Sequence, residues 1–102
     1  MAFGGKIKYL LSGSAPLKKE VHNFLNSMGL AVLEAYGLSE NILPVAMTTP
    51  SHQKAGSVGK VLRNNTVQIS SDGEILIKGP GLAKGYFRST DTSSTFASTR
   101  VE

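Results

Sequence analysis

The first 35 residues place two short apolar runs on either side of a helical pattern, and this order constrains the fold more than any other feature of the chain. Residues 7–11 are apolar apart from Lys8 and lie between Gly4-Gly5 and the loop 12–16, which predicts a buried strand that ends in a tight turn. Pro16 suits the first turn of a helix, and Gly29 suits its end. Apolar side chains then recur at the helical period at Leu17, Val21, Phe24, Leu25 and Met28.

A second apolar run, residues 31–35, follows this helix directly and predicts a second strand. Strand, helix and strand with short connections predict a β-α-β unit with parallel strands and a right-handed crossover. Ligands in such sheets usually bind beyond the carboxyl ends of the strands. The two loops that qualify are residues 12–16 and residues 36–40.

The second half of the chain has a different pattern, because no helical period returns after residue 40. A brief apolar stretch at 43–47 leads into a polar loop, and short apolar segments then alternate with turn residues. We expect two or three short antiparallel strands here, with turns at 64–65 and 70–73. The strand segments lie at residues 58–62, 66–69 and 74–78.

Composition indicates one small folded unit in a chain of 102 residues, with 40% hydrophobic and 18% charged residues. No apolar run approaches the roughly 20 residues that span a bilayer, so we expect a cytoplasmic location. The absence of cysteine excludes disulfides and thiolate chemistry.

The charged and titratable side chains give little sign of a metal or nucleic-acid site. The net charge is +4, but the basic residues are scattered along the chain, so nucleic-acid binding ranks last among the function classes. His22 and His52 are the two strong nitrogen ligands, and a structural zinc site is not expected. We predict that His22 is a surface residue on the polar side of the helix, and neither histidine is given a role.

Residues 36–40, Tyr-Gly-Leu-Ser-Glu, place the parts of a nucleotide site within five positions. An aromatic ring can stack on a base, a hydroxyl can bind a phosphate oxygen, a carboxylate can hold Mg²⁺, and a glycine lets the backbone approach a ligand. A strand-to-loop turn with a buried tyrosine and an exposed glutamate explains the same residues, so both interpretations stay open on this segment alone.

Several motifs follow one another in a fixed order along the chain: Ser12-Gly13-Ser14-Ala15-Pro16-Leu17, residues 34–40, Gly56-Ser57-Val58-Gly59, Asp72-Gly73-Glu74-Ile75, Lys78-Gly79-Pro80 and Gly85-Tyr86-Phe87. In this order they make the chain resemble the adenylate-forming superfamily, and within it the bacterial long-chain fatty-acid CoA ligases. The similarity runs from about Gly4 to Phe96. It implies an α/β fold: a β-α-β unit from the large N-terminal domain of such an enzyme, followed by antiparallel strands of its β-barrel-like part. Residues 1–87 would be a piece of the AMP-binding domain, and 88–102 a loosely ordered tail.

The resemblance implies a role for each residue of the main motif. Tyr36 corresponds to the residue that packs against adenine, Ser39 to the hydroxyl that contacts the α-phosphate, and Glu40 to the carboxylate that helps hold Mg²⁺. The family more often has threonine at the position of Ser39, but the hydroxyl is kept. Gly37 and Leu38 correspond to a turn that lines the acyl group.

Ser14 and Ala15 correspond to a loop that borders the adenine and the acyl pocket. The family uses ATP, Mg²⁺ and CoA and activates a fatty acid or another carboxylate. The elements that cradle pyrophosphate, bind the ribose and supply the catalytic lysine are not found in this sequence. We therefore expect no catalysis by these 102 residues alone.

Two other interpretations follow from the same residues. The chain can be a non-catalytic interaction module from a truncated gene, or a piece of another adenylate-forming ligase such as an acyl-AMP ligase or an aryl-CoA ligase. In the fragment interpretation, apolar faces normally covered by the rest of the enzyme would favour self-association. The resemblance also allows peripheral membrane association of the longer enzyme of which this chain would be a piece.

Overall fold

A four-stranded mixed sheet forms the first part of the chain in the computed structural model, which describes residues 3–87. The predicted tail, 88–102, lies outside the described residues. The strands stand in the order β1-β2-β3-β4, and one helix, α1, connects the first two. Their bounds are β1 Tyr9–Ser12, α1 Lys19–Ser27, β2 Ala31–Leu38, β3 Asn41–Met47 and β4 Lys60–Val61.

The predicted β-α-β unit is confirmed. Strands β1 and β2 are parallel, with Tyr9 opposite Ala31 and Ser12 opposite Glu34. The helix between them ends at Ser27, and Gly29, just beyond its last turn, has a positive φ of 78°, which suits a glycine. Because the two strands run in one direction, the loop after β1 and the end of β2 meet at the same edge of the sheet.

The end of β2 differs from the sequence prediction. The predicted strand stops at residue 35 and gives residues 36–40 to a loop, but β2 continues to Leu38 and only Ser39 and Glu40 form a turn. The reason is a partner strand that the pattern did not define, because β3 pairs antiparallel with this extension. The register shifts between Tyr36 and Leu38, at the glycine between them. Gly37 and Leu38 are therefore strand residues.

The predicted antiparallel strands of the second half are confirmed. Strand β4 joins β3, and the strands β5, Thr66–Ile69, and β6, Ile75–Lys78, form a separate hairpin. In its turn the Ser70 N–H donates to the Glu74 carbonyl at 2.9 Å, and Gly73 has a φ of 87°. The turn at residues 64–65 is also present, with Asn64 at a φ of 73°.

The prediction that His22 lies at the surface is wrong. His22 is 1% exposed, whereas Val21, Phe24 and Met28 of the predicted apolar stripe stay between 41% and 61% exposed. The helix places His22 against Glu34 of β2, so a polar contact is buried on the side of the helix that periodicity assigns to solvent. Among residues 3–87, the buried apolar core is small and centres on Val32, Val45 and Ala46.

Large apolar side chains remain exposed at several places, including Leu11, Ile42 and Phe87. This agrees with the expected apolar faces, and the self-association derived from them stays a prediction. Within the described part of the chain, the single helix is too short to cross a membrane.

Gly59 gives a test of the contact between the 56–59 segment and β3. Its φ is 85°, and a Cβ atom added there would collide with the backbone of Met47 and Thr48. Gly73 has nearly the same φ, 87°, but open space around it. We expect Gly59→Ala to lower the free energy of unfolding by about 3 kcal/mol and Gly73→Ala by about 1 kcal/mol, measured by urea denaturation. Equal losses would contradict the described contact.

Candidate functional site

An open cleft of about 440 Å³ lies at the edge of the sheet where β1 and β2 end. Three segments form its walls: the loop after β1, the end of β2 with its turn, and the start of β3. The lining residues are Gly13 and Ser14, then Ala35 to Ser39, and finally Asn41, Ile42 and Pro44. Residues from both segments predicted to bind a ligand, 12–16 and 36–40, therefore line one cleft.

The first wall brings the loop after β1 close to the backbone of β2. A Cβ atom at Gly13 would lie 3.4 Å from the Ala35 carbonyl oxygen, so the glycine permits this approach. Ser14 follows with a φ of 67°, a left-handed conformation that is uncommon for a residue with a side chain. Such strained residues cluster at ligand sites, where the surrounding structure holds them in place.

The second wall contains most of the main motif. Tyr36 and Leu38 are half-buried, whereas Gly37 and Ser39 are exposed. These four residues and Ser14 line the cleft together. Ala15 and Glu40, the two other predicted site residues, do not belong to its wall, although each directly follows a residue that does.

Glu40 is held by a distant part of the chain. The Ala83 N–H donates to the Glu40 carbonyl at 2.7 Å, and the Ile42 N–H donates to the Gly81 carbonyl at 2.9 Å. These bonds lay residues 81–83 along the turn and bring Tyr86 to Glu40, where the tyrosine hydroxyl donates to Oε1. This hydrogen bond, together with one from the Glu40 backbone, holds the pKa of the Glu40 side chain below its usual value.

Sequence reasoning missed part of the site. Asn41, Ile42 and Pro44 line the cleft because β3 folds back beside β2, and Gly13 was noted only as part of the loop motif. Tyr86 was noted in a motif but not connected to Glu40, from which it is separated by 46 residues. No local pattern signals a contact of that range.

The described residues offer one carboxylate for a metal ion at this site. Within the range 3–87, no group of three or more histidine, cysteine, aspartate or glutamate side chains stands together. Mg²⁺ is often bound through one or two carboxylates together with phosphate oxygens, and Glu40 fits that mode.

The cleft therefore combines an aromatic ring, two hydroxyl side chains and exposed backbone, with an ionised carboxylate at its margin. An aromatic face suits a planar base, and hydroxyl groups suit phosphate oxygens. This set of groups suits a nucleotide better than an apolar ligand.

Comparison with known proteins gives a family match over most of the chain. The model of the AMP-binding enzyme family matches residues 2–87. The long-chain-fatty-acid–CoA ligase FadD15 of Mycobacterium bovis is 37% identical over 93 residues, which are 91% of this chain and 16% of that protein. The chain thus spans about a sixth of the length of this relative.

Solved structures share the fold. The o-succinylbenzoate coenzyme A synthetase of Bacillus subtilis, in complex with ATP and magnesium ion, superposes with a TM-score of 0.80 at 26% identity, over 92% of this chain and 22% of that chain. The anthranilate CoA ligase AuaEII, in complex with anthranoyl-AMP, gives a TM-score of 0.82 at 17% identity, over 89% of this chain and 20% of that chain.

The Tyr86 contact predicts a shift in the titration of Glu40. Since the folded-state pKa is lowered, the contact adds stability above the usual glutamate pKa, and this stability is lost as the pH falls through the lowered pKa. We expect Tyr86→Phe to raise the pKa of Glu40 and to flatten the pH dependence of stability in that acidic range. NMR titration of the Glu40 carboxyl carbon in magnesium-free buffer measures the shift. Tyr9→Phe, on the exposed start of β1, is the control and leaves that pKa unchanged.

Proposed function

Because the chain belongs to the AMP-binding enzyme family, we propose that its cleft is one wall of the ATP site of an AMP-forming long-chain acyl-CoA ligase. The observation that carries the proposal is the convergence of Ser14 with residues 36–39 in one cleft, beside the carboxylate of Glu40. The family match and the cleft rest on different properties of the chain. The family match spans residues 2–87 and so includes all the residues that line the cleft.

The proposed reaction has two steps. The carboxylate of a fatty acid attacks the α-phosphate of ATP and pyrophosphate leaves, which gives an acyl-adenylate. The thiol of CoA then attacks the acyl carbon and AMP leaves. Both steps depend on positioning the reacting groups and on stabilising charge at the phosphate.

Each residue has a role in this proposal. The ring of Tyr36 packs against adenine, and the Ser39 hydroxyl donates to an α-phosphate oxygen. Gly37 and Leu38 form the strand end beside the acyl group, and Ser14 and Ala15 border the base from the opposite loop. The exposed position of Ser39 and the half-buried ring of Tyr36 support these roles.

Glu40 is the proposed protein ligand for Mg²⁺. Its carboxylate is anionic at neutral pH, since its pKa is held low, and the turn places it next to Ser39. A bound magnesium ion would neutralise charge on the phosphates. Tyr86 orients the carboxylate by donating to its Oε1.

The proposal also specifies the class of carboxylate substrate, a fatty acid. The Mycobacterium bovis relative is named a fatty-acid ligase and is 37% identical, whereas the two solved structures described above are of ligases named for aromatic acids and are 17% and 26% identical. This difference favours a fatty acid over an aryl acid. Because the match covers 16% of that relative, the activity, the use of CoA and the cytoplasmic location of the whole protein are proposals.

Tyr36→Ala tests the adenine contact. In the protein that carries this chain, loss of the stacking surface is expected to raise the KM for ATP about tenfold with a smaller change in the KM for CoA. Steady-state kinetics with varied ATP measure the effect. Tyr9→Ala, at the far end of β1 from the cleft, is the matched control with wild-type kinetics.

Glu40→Gln tests the metal role. The substitution keeps the size of the side chain but removes its charge, so we expect the magnesium concentration for half-maximal activity to rise about tenfold or more. Glu74→Gln, on an exposed glutamate before β6, is the matched control. Unchanged magnesium dependence in Glu40→Gln, together with unchanged ATP kinetics in Tyr36→Ala, would overturn these role assignments.

A further inference from the structure

Three buried polar side chains meet at one point of β2, two residues before Tyr36. They are His22 of α1, Glu34 of β2 and Thr48, which directly follows β3. Each is at most 5% exposed. A small domain rarely buries ionisable groups unless they are paired, so their position calls for a physical reason.

The side chain of Glu34 is held by the helix. Its Oε1 lies 3.0 Å from Nδ1 of His22, and the two side chains are 7% and 1% exposed. Because a carboxylate only accepts hydrogen bonds, the ring nitrogen is the donor. The bond joins the helix to the strand at a defined position along the strand.

The backbone of Glu34 is held by Thr48. The Glu34 N–H donates to the Thr48 hydroxyl oxygen at 2.7 Å, and the Thr48 N–H donates to the Glu34 carbonyl at 2.9 Å. The threonine hydroxyl itself lies 3.4 Å from the same carbonyl. Glu34 is thus fixed through its carboxylate, its N–H and its carbonyl by two different elements.

These contacts are directional, whereas apolar packing is not. A buried ion pair is often no more stabilising than apolar residues of the same volume, so stability alone explains the cluster poorly. Hydrogen bonds weaken steeply with angle and distance, so they fix how far β2 can slide or rotate against α1 and β3. Glu34 and Tyr36 are also separated by two positions, which places them on the same face of the strand.

We propose that His22, Glu34 and Thr48, here named the Glu34 clamp, are positioning residues that fix the end of β2 and thereby set Tyr36 and the turn at residues 39–40 against the cleft. The clamp acts through the strand and does not touch the ligand. That the ligand of the cleft is ATP depends on the function proposed above. The effect of the clamp on residues 36–40 does not depend on it.

Hydrogen exchange tests the clamp without any ligand. Thr48→Val keeps the shape of the side chain and removes the hydroxyl, and His22→Leu with Glu34→Leu replaces the hydrogen-bonded pair by apolar groups. We expect the amides of residues 36–40 to exchange about fivefold faster or more in both variants, as for one lost hydrogen bond. Amides of the β5–β6 hairpin serve as the internal reference and keep their rates. His52→Leu, at the exposed histidine, is the matched control.

A rescue experiment separates positioning from stability. His22→Leu alone leaves the buried carboxylate without its partner and lowers Tm, and the double leucine variant regains Tm. If the clamp positions the site, the KM for ATP stays about tenfold raised in the double variant. The single variant His22→Asn, whose amide nitrogen replaces Nδ1 opposite the intact Glu34, then has a KM for ATP close to that of the unmodified protein. Recovery of the KM together with Tm, or unchanged exchange at residues 36–40, would overturn the proposal. Faster exchange at 36–40 with no ATP effect even in Tyr36→Ala would contradict the proposed function and leave the clamp supported.

Discussion

Parallel pairing of β1 with β2 is the constraint on which the rest of the structure depends. Parallel strands need a crossover, and α1 provides it, so the loop after β1 must end beside the extension of β2. Strand β2 runs four residues past Glu34, the partner of Ser12, and this extension forms one wall of the cleft. Without that pairing, Ser14 and Tyr36 would not share a surface.

The residues of the site lie at strand ends, and neighbouring elements hold these strand ends in place. Strand β3 continues the sheet beside the β2 extension, and the segment 81–83 binds the outer side of the turn. Glu34 links the extension to the helix and to Thr48, and Tyr86 restrains Glu40. Elements distant in sequence therefore hold a motif of five adjacent residues, which is how a rigid scaffold orients groups on its loops.

The predictability of each part followed the range of its interactions. The β5–β6 hairpin was predicted nearly to its bounds because its turn chemistry is local, with Ser70 and Gly73 at the required positions. The end of β2 was placed three residues too early because its continuation depends on β3. Helical periodicity predicts a surface position for His22 because it considers only the apolar side chains of the helix. It contains no information about the Glu34 carboxylate on the neighbouring strand.

The sequence by itself determined the β-α-β order and the antiparallel second half, because periodicity, glycine and proline act within a few residues of one another, and it also supplied the segment for which we propose a nucleotide-binding role. It also indicated the family, since several motifs recur in fixed order. The tertiary structure alone decided which residues face one another: Ser14 with the β2 extension, Tyr86 with Glu40, and His22 with Glu34. These contacts join positions 12 to 46 residues apart, and only the folded backbone fixes such distances.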